Sequence, residues 1–207
     1  MDKLDFRKRD RALYAAKAGQ WSRLNVPPIL TLRIEGQGDP NGPTYARALA
    51  ALYPLAYGIK FAAKARGADF AVPPLEALWW ADDPAAFTTG DRAVWRWAAC
   101  LRVPDDTAQT ALDQARTATL SKRRTTADPE ALAEVHLAPL DEGDCLQTLH
   151  IGPYTAEAPV LVDLHCVVMP GLGLTFNGPH HEIYLSDPRR VAPGRLKTLL
   201  RQPVRPL

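Results

Sequence analysis

Apolar and polar positions alternate along Leu30-Thr31-Leu32-Arg33-Ile34-Glu35-Gly36, and the period of two predicts a strand there. Turn chemistry fills Gly36 to Pro43, and from Tyr45 the residues Leu49, Leu52, Tyr53, Ala56 and Tyr57 recur at helical spacing. This predicts a helix from about Tyr45 to Ala65, capped at Thr44 or just before it and kinked or restarted at Pro54. Asp69 to Pro74 reads as an edge or bulged segment because of its prolines, and Leu75 to Trp80 as a strand in which Glu76, Leu78 and Trp80 share a face. Turns around Asp82-Asp83-Pro84 and Thr89-Gly90-Asp91 lead to a strand over Ala93 to Leu101, with Trp95 and Trp97 on one side.

Pro104-Asp105-Asp106-Thr107 starts a helix that Lys122-Arg123-Arg124 closes with a solvated basic end, and Asp128-Pro129-Glu130 opens a second short one. Residues of about 104–135 therefore read as a helical connector between a first half of about 29–103 and a second half of about 136–207. The second half begins with a strand over Cys145 to Gly152 and a helix over Ala156 to Val168. A strand over His180 to Leu185 and a short helix near Pro193 to Leu200 follow. Residues 1–28 form an N-terminal arm, too short for a helix-turn-helix domain.

The strand His180 to Leu185 carries a carboxylate. His180, Glu182 and Tyr184 share one face, and His181, Ile183 and Leu185 the other, which suits packing beneath a sheet. Pro74-Leu75-Glu76-Ala77-Leu78-Trp79 can be laid on His180-His181-Glu182-Ile183-Tyr184-Leu185, and each run follows a strand ending in glycine and then an apolar helix. This suggests a duplicated strand-helix-strand unit whose two glutamates face one cleft across a pseudo-twofold.

The chain has 207 residues, a formal net charge of +2 and 23% charged residues, enough for a sizeable core and with no global bias toward nucleic acid or membrane. Its three cysteines form no close pair, which points to a reducing compartment and a cytoplasmic protein; no apolar run approaches the roughly 18 residues of a membrane span. The histidine spacing fits no zinc motif, no Gly-x-Ser-x-Gly elbow is present, and the glycines of Gly36 to Gly42 match no nucleotide fingerprint, so neither metal nor cofactor is expected. The tail from Arg189 holds six basic residues and no acid, read as surface. What remains is a pair of glutamates, Glu76 and Glu182, with aromatic walls. Such a cleft either binds flat or cationic molecules, or splits two carboxyl pKa values for acid–base hydrolysis.

Pro74-Leu75-Glu76-Ala77-Leu78-Trp79-Trp80, Gln147-Thr148-Leu149-His150-Ile151-Gly152-Pro153-Tyr154 and His180-His181-Glu182-Ile183-Tyr184-Leu185-Ser186-Asp187-Pro188-Arg189-Arg190 resemble the GyrI-like small-molecule-binding family, over about Asp2 to Val204. The resemblance implies an α+β fold of two strand-helix-strand-strand (SHS2) units, filling residues 29–207 as a single domain. Its antiparallel sheet has helices on one side and a ligand cleft on the other. It also implies a pocket glutamate, matched by Glu182. The subgroup with the His-His-Glu-Ile-Tyr motif resembles cyclopropanoid cyclopropyl hydrolases, which open the strained ring of DNA-alkylating compounds. The expected catalytic residues are Glu182, which the resemblance matches, with Tyr184 and Glu76 as candidates to serve the oxygen, and the expected ligand-binding residues are Trp80, Trp97, Tyr154, His180, Trp79 and Tyr57. A non-catalytic drug-binding protein is the alternative, and a gyrase-contacting inhibitor the third.

Overall fold

The alternating run predicted over residues 30–36 is strand β2 (Ile29–Gln37) of a computed structural model that describes residues 3–83, 91–122 and 127–207. Asp2, Pro84, Thr89, Gly90, Arg123 and Arg124, named above, lie outside the described residues. The chain is α+β and divides into two units, one of Met1–Arg9, Ile29–Pro73 and Ala77–Leu140, the other of Asp10–Pro28, Pro74–Glu76 and Asp141–Leu207. The arm is therefore not separate: Ser22–Val26 forms β1 and pairs antiparallel with β6 (Gly143–Ile151) in the second unit.

In the first unit, β2 pairs antiparallel with β4 (Arg96–Arg102) and with β5 (His136–Leu140), and β3 (Glu76–Trp80) lies beside β4. A short helix, α1 (Phe6–Arg9), buries Phe6 edge-on against Phe70, and the Arg102 guanidinium stacks over the Phe6 ring. The long helix α2 (Pro43–Ala65) packs on β2 and β4. It starts from Gly42 with Pro43 in its first turn, where a missing N–H costs nothing, and runs unbroken through Pro54. The stretch read as a connector is instead α3 (Gln109–Leu120) and α4 (Pro129–Glu134), both packed on α2. Gly58 of α2 meets α3 so closely that a Cβ there would lie 2.8 Å from the Ala115 Cβ. This unit therefore ends at Leu140, beyond the boundary expected near 135, because β5 completes its sheet.

In the second unit the strand order is β1-β6-β9-β8, with β8 His180–Tyr184 and β9 Lys197–Pro206, all antiparallel; β7 (Leu174–Phe176) also pairs with β9. The tail expected as a short helix is only a turn at Pro193–Arg195 before β9, a ten-residue strand held on both sides by ladder hydrogen bonds. Residues 158–171 are helical in three pieces: α5 (Ala158–Asp163), a wider turn over Leu164–Val168 in which the Met169 N–H reaches the Leu164 carbonyl, and a last turn over Met169–Gly171. Leu164 and Met169 seat this helix on Leu146, Leu174 and Val204.

Candidate functional site

Strand β8 separates two polar groupings in the second unit. Its pairing with β9 sets Glu182 opposite Leu200 and Tyr184 opposite Thr198, so these side chains point to the face that carries Leu146 and the helix above. His181, opposite Arg201, points the other way.

On the helix side, Glu182 lies near enough for its charge to act on Glu157, an acid at the start of α5 that sequence reasoning missed. Gly152 (φ +149°) turns the chain sharply after β6, and the short helical turn Tyr154–Ala156 then delivers Glu157 to this face. Burial raises the Glu157 carboxyl well above the usual carboxylate range, the Glu182 charge raises it further, and the Thr198 hydroxyl opposes the rise. Burial likewise raises Glu182, against the Tyr184 hydroxyl and the His181 charge, which favour its ionised form. Tyr184 lies edge-on to Tyr154, their ring centroids 5.6 Å apart, and Tyr154 is 40% exposed, placing a partly solvated aromatic beside the carboxyl pair. His180 lies beside Glu182, its Nε2 3.8 Å from Oε1, and is held neutral, its pKa lowered by burial to about 3.

On the opposite face, Gln147, Arg201 and His181 form one cross-strand row in register over β6, β9 and β8. Arg201 donates to Gln147 Oε1 (2.8 Å), to Glu142 Oε2 (2.7 Å) and to the Leu13 carbonyl (2.7 Å). His181 Nδ1 lies 2.9 Å from Glu142 Oε1 and its Nε2 3.1 Å from Glu76 Oε2, and the Tyr14 hydroxyl donates to Glu76 Oε1 (3.1 Å). All of these side chains are buried. Burial opposes the His181 cation, but Glu142 and Glu76 outweigh it and raise its pKa to about 9. Burial also opposes the Glu142 anion, yet His181 and Arg201 lower its pKa to about 2.

The structure thus corrects the shared-cleft expectation. Glu76 and Glu182 do not face one another, because Glu76 is bound to the His181 face of β8 and Glu182 occupies the other. Glu182 shares its sheet face with Leu146, on which the helix of this unit packs. The superposition of the two runs is also out of phase. Trp79 stacks on Tyr45 of α2 at 5.7 Å, so Trp79, not Glu76, is the β3 side chain that faces its unit's helix.

The tryptophans expected as ligand walls are placed in the first unit. Trp97 is buried against Tyr45 (4.9 Å, edge-on) and so near Gly36 that a Cβ there would lie 2.4 Å from its ring; with Trp79 it belongs to the core beneath α2. Trp80 packs on the opposite side, against the Ile29, Leu78, Ala98, Cys100 and Leu140 cluster. Tyr57 stands 44% exposed on α2 beside Phe61.

The comparisons agree with this architecture. The GyrI-like small molecule binding domain family matches residues 24–205. The chain belongs to that GyrI-like family. Its fold is shared by an uncharacterized conserved protein from Listeria innocua, 37% identical over 98% of this chain and 100% of that one, TM-score 0.88. A hydrolase from Listeria innocua is similar too, 36% identical over 98% of this chain and 100% of its own, TM-score 0.84. The C-terminal domain of EcmrR, at 12% identity and TM-score 0.58 over 91% of this chain and 98% of that one, shares the fold alone. No functionally curated protein matches. Among the described residues, no helix is long and apolar enough to cross a membrane. The GyrI-like chain is therefore a small-molecule-binding domain, and its Glu157–Glu182 face is the candidate site.

The opposite-face network makes a pH prediction for this GyrI-like chain. His181 has its folded pKa raised from 6.5 to about 9, so the stability it contributes is full below 6.5 and is lost as pH rises through about 9. Glu142 is lowered from 4.5 to about 2, so its contribution is full above 4.5 and is lost as pH falls through about 2. Thermal melts of the wild type and a Glu142→Gln/His181→Asn double variant will differ most between pH 4.5 and 6.5, and the gap will narrow on both sides. A gap independent of pH would mean that the charges contribute nothing beyond packing.

Proposed function

We propose that this GyrI-like chain hydrolyses flat aromatic compounds carrying a strained, electrophilic three-membered ring, as a detoxifying cyclopropanoid hydrolase. The observation that carries this reading is the Glu157–Glu182 pair, a buried and a largely desolvated carboxyl that burial raises above the usual carboxylate range, with the Glu182 charge raising Glu157 further. Glu157 has the stronger reason to keep its proton. Glu182 then acts as the base for water, and the proton on Glu157 or the Tyr184 hydroxyl serves the oxygen. Water adds at the ring methylene, the carbon–carbon bond of the small ring breaks, and its electron pair passes through the conjugated system to the carbonyl oxygen, which becomes a phenol as it takes up a proton. Glu182 removes the proton of the attacking water, so atoms and charge balance. The similar Listeria innocua hydrolase supports the class of reaction.

A second reading, binding without turnover, follows from the family itself. Incubation with a cyclopropanoid alkylator at one part protein to a hundred parts compound, followed by mass spectrometry, separates the two. Complete conversion to a product heavier by one water supports hydrolysis. Unchanged compound, with protection of DNA only up to one equivalent, identifies a binder.

A further inference from the structure

We propose that His165 and His180 form a subsite, on the same sheet face as Glu157 and Glu182, for an uncharged group that both donates and accepts hydrogen bonds, such as a carboxamide or lactam on an aromatic body. The proposal rests on the reading of this face as the ligand site, and it adds the chemistry of the ligand's polar end.

The buried side-chain atoms with no hydrogen-bond partner among the described residues include His180 Nδ1 and Nε2, His165 Nε2, Glu157 Oε1 and Thr198 Oγ1. Unpartnered buried polar atoms are rare in folded proteins, and several at one place mark where something else supplies the bonds. His180 follows a turn at Gly178-Pro179 and lies on the same β8 face as Glu182. His165 belongs to the wide helical turn above it, a distortion that recurs at functional sites, and its ring rests edge-on against Phe176 of β7 at 4.9 Å. The two rings are near enough that charge on His165 disfavours a proton on His180. Burial lowers the pKa of both.

A neutral imidazole offers one N–H and one acceptor nitrogen. Two of them side by side match a group that presents a carbonyl and an N–H together. A cation would find no anion on the imidazoles, and an anion would meet rings kept neutral beside a carboxyl pair. Among the described residues, no group of three or more His, Cys, Asp or Glu side chains is arranged to hold a metal ion, so the rings are not assigned as its ligands.

The test uses naphthalene-2-carboxamide and its apolar counterpart 2-methylnaphthalene with the full chain, reading dissociation constants and imidazole nitrogen shifts by NMR. The carboxamide should move the ring nitrogens of both histidines. Its affinity should fall roughly fivefold to tenfold in His180→Phe, and in His165→Phe as the second variant, the loss expected for about one hydrogen bond. Binding of 2-methylnaphthalene should hold or tighten in both. Equal changes for the two probes, wild-type affinity of the carboxamide in both variants, or no carboxamide binding to the wild type would overturn the subsite. Because binding is read without turnover, a chain that hydrolyses nothing can still pass, and an active hydrolase can still fail.

Discussion

Glu182→Gln will lower turnover of a strained-ring substrate by roughly 10²–10⁴-fold, the range for loss of a general base, while the melting temperature stays the same or rises. The two halves of this expectation have one cause. Burial raises the Glu182 carboxyl above its ordinary value, so ionising it in the folded chain costs stability that a neutral amide does not lose. The same buried carboxylate is the base. Glu157, its carboxyl raised to about 9, still holds its proton where Glu182 ionises, so Glu157→Gln leaves the acid limb of the pH–rate profile in place and removes the alkaline limb on which Glu157 would lose that proton. Wild-type rates in Glu182→Gln would end the catalytic assignment, and an alkaline limb that persists unchanged in Glu157→Gln would take the acid role away from that carboxyl.

Arg201→Met should be the most destabilising single change in the second unit, by about 3–5 kcal/mol, the cost of leaving a buried ion uncompensated. Arg201 is 1% exposed, and methionine fills much of its volume while removing the donors to Glu142, Gln147 and the Leu13 carbonyl. Each of those acceptors is left without that bond. A double change, Arg201→Met with Glu142→Gln, removes both charges and should recover part of the loss, as cycles of denaturant unfolding would measure. Should the double variant be less stable than Arg201→Met, the network would be held by hydrogen bonds rather than by charge. Glu182 depends on this network indirectly, since His181 holds its neighbour in the chain to the far side of β8.

The α+β class, most element positions and the Glu182 strand were legible because they follow from local periodicity. Ile29–Gln37, Pro43–Ala65, Gly143–Ile151 and His180–Tyr184 all coincide closely with runs of period two or 3.6. Strand alternation alone also put His180, Glu182 and Tyr184 on one face, as the pairing with β9 shows. Pairing and depth were not legible. Arg201 sits in a basic tail that reads as surface, yet β9 runs between β6 and β8 and buries it against Glu142. An acid at a helix start, such as Glu157, reads as an ordinary dipole partner until the turn at Gly152 brings it to Glu182. Glu76 resembled a second pocket glutamate because the two runs align by letter, but a shift of one residue in a strand exchanges its faces, and only the register with neighbouring strands decides which face holds the carboxylate. Local sequence determined which residues form strands and helices; tertiary structure decided which carboxylates meet, because that depends on contacts between segments far apart in the chain.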